Sequence, residues 1–239
     1  MNIRIIFLVL LLFIFALIII SWYLNKEIQN TVGNTKLANA AITYVPIGDS
    51  YTIGYDVNEN DRWPNVLVNN LKKEGINISL VSNPAVSGFT VRDATYFELP
   101  EIEEIKPDFV TVLIGANDSF GQRDINIFEK DLIELLDKLE EILPTPKNIV
   151  LITIPDYSIS LQTEGFDKKS LSKSIEEYNR VIKDQAQKRK LRVADIFPIS
   201  KTMTQASDYT QDGLHPSSLG YLKWEKVIFP VVFKLLKNR

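Results

Sequence analysis

Two short runs of almost entirely apolar and β-branched residues limit the folds that are open to this chain. Residues 109–114 read FVTVLI and residues 149–154 read IVLITI. Such runs are typical of strands buried on both faces, which occur in parallel sheets covered by helices. A helix is predicted between them, because apolar side chains there recur at the spacing of one helix face. These residues are Phe128, Leu132, Leu135, Leu136, Leu139 and Leu143.

The same alternation continues through the rest of the chain. Further strands are predicted at residues 42–47, 76–81 and 191–196. Further helices are predicted at residues 63–74, 171–186 and 221–236, the last with a kink at Pro230. Strands that alternate with helices are joined by crossover connections and therefore form a parallel sheet. The pattern predicts the α/β class, as a three-layer α/β/α sandwich with about five strands.

The first 41 residues differ from the rest. Residues 5–20 read IIFLVLLLFIFALIII, and about 20 apolar residues suffice for a helix to span a bilayer. We predict an N-terminal membrane anchor at residues 1–24, a polar linker at 25–41 and one domain at 42–239. A membrane-anchored domain outside the cytoplasm is then expected. One alternative is a cleaved signal peptide, and hence secretion, since Ala38-Asn39-Ala40 resembles a cleavage site. A second alternative is a buried core helix.

Charge and cysteine content exclude several function classes. The chain has 27 lysines and arginines against 30 acidic residues, a net charge of −3. Without a large basic excess, no nucleic acid is expected as a partner. The sequence contains no cysteine, so disulfides, thiolate catalysis and cysteine-bound metals are all excluded.

Polar residues follow the predicted strands where a parallel sheet forms its binding sites, outside the carboxyl ends of the strands. Gly48-Asp49-Ser50 follows the first strand, residues 83–88 (NPAVSG) the second, and residues 115–118 (GAND) the third. We therefore expect these three loops to lie together. The Ser50 hydroxyl is a candidate nucleophile, although Asp and Ser are also common helix caps.

A candidate base and its orienting acid lie near the C-terminus. A serine nucleophile needs a base within hydrogen-bond reach, and the base needs an acid to orient it. His215 is the only histidine in the sequence, and Asp212 precedes it by three residues. The alternative is an ordinary polar turn before a helix that begins at Pro216.

Two loops could stabilise the negative charge that develops on an ester carbonyl oxygen. The Asn117 side-chain amide and the Gly88 backbone N–H are suitable donors. The alternatives are an Asx turn at Asn117 and a simple loop glycine at Gly88.

Taken in order, four segments resemble the motifs of the SGNH hydrolases, the GDSL-type lipases and esterases. They are GDSYTIG, NPAVSG, GAND and DGLHP, and the resemblance extends from about residue 42 to the C-terminus. It implies a catalytic triad of Ser50, Asp212 and His215. It also implies an oxyanion hole formed by Ser50, Gly88 and Asn117, in a flavodoxin-like sheet. Ala85 and Tyr51 depart from the usual pattern, where glycine and a smaller aliphatic residue are common.

The resemblance implies a serine ester hydrolase that works through an acyl-enzyme on Ser50, without a metal or other cofactor. The expected substrates are lipid esters or, alternatively, O-acetylated cell-envelope glycans. Residues 156–167 could line the mouth of the pocket, and Tyr51, Arg62 and Trp63 could contribute, with packing as the alternative for Arg62 and Trp63.

Two rival functions remain open. The first is a non-catalytic binding module. The second is a metal-dependent phosphoesterase, for which four side chains are potential ligands. These are Asp49, Asp118, Asp212 and His215.

Overall fold

The computed structural model describes residues 19–27 and 41–237. The chain divides into two compact units, Met1–Ala41 and Ile42–Arg239. In the first unit, residues 19–27 are helical. Within the two described ranges, no helix is both long and apolar enough to cross a bilayer. The predicted anchor at residues 1–24 and linker at 25–41 lie mostly outside those ranges and stay predictions.

The second unit is built on a sheet of five parallel strands in the order β2-β1-β3-β4-β5. The strands are β1 (Ile42–Gly48), β2 (Ile78–Leu80), β3 (Phe109–Leu113), β4 (Ile149–Ile152) and β5 (Arg192–Ala194). This is the flavodoxin-like order, in which the sheet grows outward in two directions from its first strand. The predicted fold class and strand number are confirmed.

The central strands are buried along their whole length, as their composition predicts. Every residue of β3 and β4 is buried, and β1 pairs with β3 from Tyr44 opposite Phe109 to Gly48 opposite Leu113. The outer strands are shorter than predicted. Residues 76–81 have strand-like composition, but β2 pairs with β1 over only three residues.

Five main helices cover the sheet. They are α1 (Trp63–Lys73), α2 (Leu99–Ile105), α3 (Ile125–Ile142), α4 (Lys168–Arg189) and α5 (Ser218–Leu236). Helix α5 packs against α1, and α3 packs against both α2 and α4. Side-chain caps define the starts of the last three: Asp124 precedes α3, Asp167 precedes α4 and Ser217 precedes α5.

Two helical features differ from the sequence-based prediction. Residues 91–105, for which no helix is predicted, form one continuous helical stretch. It consists of Val91–Asp93, a π-helical turn at Ala94–Glu98, and α2. Helix α5 begins three residues before its predicted start, and it contains Pro230 as predicted.

Candidate active site

Ser50 lies at the carboxyl edge of the sheet, directly beyond β1. The strand ends at Gly48, and a short helix, Ser50–Ile53, begins two residues later. Asp49 caps this helix, because its Oδ1 accepts the N–H of Tyr51 at 2.9 Å. The cap therefore belongs to Asp49. It leaves the Ser50 side chain free to face the cleft, with 8% of the residue exposed.

His215 and Asp212 reach Ser50 in one hydrogen-bonded chain. His215 Nε2 lies 2.8 Å from Ser50 Oγ. His215 Nδ1 lies 2.5 Å from Asp212 Oδ2. The structure thus brings together the three side chains predicted as a triad, although 165 residues separate Ser50 from His215 in the sequence.

Asp212 is fixed by donors on its other carboxylate oxygen. Oδ1 accepts the backbone N–H groups of Leu214 at 2.8 Å and His215 at 3.0 Å, and the Thr210 hydroxyl at 2.8 Å. Burial alone would raise the pKa of Asp212. The hydrogen bonds from His215, Leu214 and Thr210 outweigh burial and lower the pKa to about 2. Asp212 is therefore ionised at neutral pH.

Neighbouring groups hold the loop that carries His215. The Leu161 N–H donates to the Gly213 carbonyl at 3.0 Å, which connects the loop after β4 to the histidine loop. The His215 ring makes tilted contacts with two tyrosines, its centroid lying 4.8 Å from that of Tyr55 and 5.4 Å from that of Tyr51. The imidazole is thus held by two aromatic contacts as well as by hydrogen bonds at both nitrogens.

Gly88 lies in a tight turn that lines the same cleft as the histidine. The Phe89 N–H donates to the Val86 carbonyl at 3.2 Å, and Gly88 has φ = 90° at the third position of this turn. A positive φ at that position favours glycine. Across residues 41–237, the backbone N–H groups of Ser50 and Gly88 donate to no other residue. Both are available to an acceptor bound in the cleft.

The Asn117 amide is held at the start of a short helix, Ala116–Phe120, that follows β3. Its Nδ2 donates to the Phe89 carbonyl at 2.8 Å and makes a longer contact, 3.3 Å, with Asp49 Oδ2. The first bond orients the amide and connects it to the Gly88 turn. An acceptor in the cleft would compete with Asp49 for the second N–H.

Three buried carboxyl groups lie beneath these loops, and sequence reasoning did not foresee their burial. Asp49, Glu98 and Asp118 are each at most 1% exposed. Glu98 Oε2 accepts the Gly48 N–H at 3.0 Å, and Asp118 Oδ2 accepts the Val91 N–H at 3.0 Å. Burial raises all three pKa values, that of Asp49 to about 7 and that of Glu98 to about 8.

A cleft of about 300 Å³ opens above these groups. Tyr157 and Gln162 line it, so the segment at residues 156–167 does reach the pocket. Tyr55 and Phe120 also line the cleft, and sequence reasoning missed both because no motif contains them. Further lining residues are Ser50, Tyr51, Ser87, Gly88, Ala116, Asn117, Leu214 and His215.

Arg62 and Trp63 do not line this cleft. Trp63 is fully buried and donates its Nε1–H to the Tyr51 carbonyl at 3.0 Å. Arg62 donates to the Val57 carbonyl at 3.2 Å. Both side chains pack the loops that follow β1, which agrees with the packing alternative.

The residues considered for a metal site do not converge. Among the residues that the structure describes, no group of three or more His, Cys, Asp or Glu side chains is placed to hold a metal ion.

Comparison with known proteins agrees with this geometry. Residues 47–223 match the model of the GDSL-like lipase/acylhydrolase family. An acetylxylan esterase of Geobacillus stearothermophilus is 30% identical over 154 residues, covering 59% of this chain and 67% of that protein. An arylesterase of Vibrio mimicus is 22% identical over 174 residues, covering 71% and 78%.

A solved structure has the same fold. The crystal structure of TesA superposes with a TM-score of 0.67 at 22% identity, covering 81% of this chain and 99% of that one. The family model spans the segments that carry Ser50, Gly88, Asn117, Asp212 and His215. The chain therefore belongs to the GDSL-like lipase/acylhydrolase family and is a carboxylic ester hydrolase.

Proposed function

We propose that the domain cleaves esters by acyl transfer through Ser50, with His215 as the base and Asp212 as the orienting acid. The observation that carries the proposal is the continuous hydrogen-bonded chain from Asp212 through His215 to Ser50 Oγ. This arrangement is the one that a serine nucleophile needs, because the hydroxyl is a weak nucleophile until a base accepts its proton.

In the first step, Ser50 Oγ bonds to the ester carbonyl carbon while its proton passes to His215 Nε2. The carbonyl π electrons move to oxygen and form an oxyanion. Collapse of this intermediate breaks the bond to the alkoxy oxygen, which leaves with the proton from His215. Water then attacks the acyl-enzyme in the same way and releases the carboxylic acid. Asp212, ionised and fixed, stabilises the imidazolium in both steps.

The oxyanion is stabilised by three donors in this proposal. They are the backbone N–H groups of Ser50 and Gly88 and the Asn117 amide. The two backbone donors have no competing acceptor among residues 41–237, whereas Asn117 exchanges its long contact with Asp49 for the oxyanion. Preorganised donors of this kind act strongly because they need no rearrangement when charge develops.

Ser50→Ala tests the nucleophile. The variant is expected to remain folded, to lose turnover of p-nitrophenyl acetate and to resist labelling by a fluorophosphonate probe. Full activity in this variant would refute the mechanism. A wild-type protein that is folded but unlabelled would favour a non-catalytic binding module, and loss of activity on chelation would favour a metal-dependent phosphoesterase.

An O-acetylated glycan is the substrate class that we favour over a lipid ester. The support is the acetylxylan esterase relative, which is named for an acetylated polysaccharide. The cleft is also small, about 300 Å³, with the aromatic side chains of Tyr55, Phe120 and Tyr157 on its walls. An acyl-chain-length series of p-nitrophenyl esters, run beside an acetylated glycan, separates the two classes. A preference for long acyl chains over the acetylated glycan contradicts this choice.

Membrane attachment with an external domain completes the proposal. Its support is the uninterrupted apolar run at residues 5–20. The full-length chain is expected in the membrane fraction, and protease added to intact cells is expected to remove the domain. A domain that survives this treatment, while lysed cells lose it, has the opposite orientation.

A further inference from the structure

A second cleft, of about 530 Å³, lies beside the catalytic one, and Phe120 lines both. Tyr157 reinforces this division, because it lines the catalytic cleft and donates its hydroxyl at 3.0 Å to Ser119 Oγ, which belongs to the second. The second volume is within the range of about 300–1,000 Å³ that is usual for ligand pockets. The two clefts therefore adjoin at Phe120.

Two aromatic side chains at this crossing are more than half exposed, although they contact each other and Phe120 also contacts Tyr157. Phe120 is 58% exposed and Phe166 is 55% exposed, with their ring centroids 6.3 Å apart. Adjacent exposed apolar side chains that border an active site form a surface on which an apolar part of a ligand can pack. The C–H face of a pyranose ring is an apolar surface of matching size for an aromatic ring.

The polar side chains of the second cleft suit a ligand with many hydroxyl groups. Gln122, Ser174 and Glu177 line it, and none of these side chains bonds to another residue in the part of the chain that the structure describes. An amide, a hydroxyl and a carboxylate together both donate and accept hydrogen bonds. Sugar hydroxyls require this mixture, whereas a hydrocarbon chain would leave the three groups desolvated and unpaired.

The charges of the second cleft disfavour an anionic ligand. Arg123, the one cation on its lining among the described residues, is already in ion pairs with Asp131 at 2.5 Å and Asp118 at 3.6 Å. Glu177 adds a carboxylate. A phosphate headgroup or an acidic glycan would meet this negative charge without an unengaged cation.

We infer that the second cleft is a subsite for neutral sugar units of an O-acetylated glycan, which lie across Phe120 from the unit deacetylated at Ser50. The inference rests on the proposed function and adds a binding site outside the catalytic cleft. It predicts that the enzyme distinguishes an acetylated oligosaccharide from an acetylated monosaccharide, although both present the same bond to Ser50.

The kinetic test compares acetylated xylohexaose with acetylated methyl xyloside. Wild-type kcat/KM is expected to favour the hexaose by about tenfold or more, equivalent to about 1.4 kcal/mol of additional binding. Ser174→Trp, which fills the second cleft, and Phe166→Ala, which removes one aromatic face, are each expected to lower this preference toward one. The matched control is Leu219→Ala, an exposed apolar residue on α5 that lines neither cleft.

Binding provides a second measurement that does not depend on turnover. Ser50→Ala is titrated calorimetrically with acetylated xylohexaose, with and without Ser174→Trp, and Ser174→Trp is expected to weaken binding about tenfold. An unchanged affinity together with an unchanged hexaose preference overturns the inference. A selective loss of p-nitrophenyl octanoate hydrolysis in Ser174→Trp also overturns it, because the cleft would then hold an acyl chain. Failure of the proposed function would be a different result, because the wild-type protein would then hydrolyse no ester. The binding measurement would still test the subsite in that case.

Discussion

The two sides of Ser50 contain carboxyl groups with opposite electrostatic properties. On the histidine side, Asp212 is partly exposed, accepts four hydrogen bonds and has its pKa lowered to about 2. On the side of Gly88 and Asn117, Asp49 and Glu98 are fully buried, and burial raises their pKa values to about 7 and about 8. The same functional group is thus held ionised on one side, whereas burial shifts it toward its neutral form on the other.

This difference follows the charge that each side meets in the proposed reaction. A fixed carboxylate beside His215 stabilises a developing imidazolium. A fixed carboxylate beneath Gly88 and Asn117 would instead oppose a developing oxyanion, and at short range in a buried site this repulsion is strong. Asp49 and Glu98 are buried with too few hydrogen-bond donors to offset the cost of burial, so their negative charge is reduced. Both acids still accept backbone N–H groups and so help to hold the loops.

Asp212→Asn tests the ionised side and has the largest expected effect. The asparagine can keep the loop geometry but donates where His215 needs an acceptor, so the tautomer that accepts the Ser50 proton is lost. We expect kcat for p-nitrophenyl acetate to fall about 10⁴-fold. Gln211→Ala, an exposed neighbour, is the control for disturbance of the loop. A loss below about tenfold would mean that Asp212 is structural.

Asn117→Ala tests the opposite side and is expected to cost less. It removes one of three donors, and loss of one such donor typically lowers kcat by about 10²–10³-fold. KM is expected to change little, because the bond forms fully only in the transition state. Asn126→Ala, an exposed asparagine at the start of α3, is the control. If KM rises while kcat is kept, Asn117 binds substrate and does not stabilise the oxyanion.

The sequence predicts the groups on the histidine side better than those beneath Gly88 and Asn117. Asp212 and His215 lie three residues apart in one short motif, so their closeness in the sequence already predicts that they are close in space. The contact of Glu98 with Gly48 joins residues 50 positions apart, and it depends on an unpredicted helical stretch. Pro100, a residue type that disfavours helix interiors, lies within that stretch near the start of α2.

The cleft is predicted less well than the sheet for a related reason. Strands β3 and β4 are buried on both faces, and their almost entirely apolar sequences indicate this directly. Phe120 and Tyr157 come from single helical turns that follow β3 and β4, where the direction of a side chain depends on packing across the molecule. Their ring contact, with centroids 6.1 Å apart, exists only after β3 and β4 are paired.

Glu98→Gln tests whether burial raises the pKa of the buried acids, through the pH dependence of the unfolding free energy. The folded pKa of Glu98, about 8, is above the ordinary glutamate value of 4.5. The folded state therefore holds a proton that the unfolded state releases. This stabilisation is complete below the unfolded pKa and is lost as pH rises through about 8. Asp49, with a folded pKa of about 7, acts in the same direction.

Wild-type unfolding free energy is thus expected to fall between pH 5 and pH 9. Glu98→Gln is expected to reduce that fall by about 1–3 kcal/mol, as measured by urea denaturation at pH 5, 7 and 9. Glu104→Gln, an exposed residue of the same helix, is expected to leave the slope unchanged. An unaltered slope in Glu98→Gln would mean that Glu98 is ionised in the folded protein.

Two glycines allow a comparison of how tightly the loops on the two sides of Ser50 are constrained, because one glycine lies in each loop and both have positive φ. Gly88 has φ = 90°, and a Cβ added there meets no atom within 4 Å. Gly213 has φ = 70°, and its Cβ would lie 2.8 Å from Leu161 Cβ. Gly88→Ala therefore carries only backbone strain, about 1–2 kcal/mol, and keeps the N–H that the proposed oxyanion hole uses. Gly213→Ala adds a steric clash that displaces the Asp212–His215 loop from Leu161.

We expect Gly213→Ala to lower both stability and kcat more than Gly88→Ala does, as measured by thermal unfolding and p-nitrophenyl acetate turnover. Equal losses in the two variants would show that Leu161 yields and that the histidine loop is no more tightly constrained than the Gly88 turn.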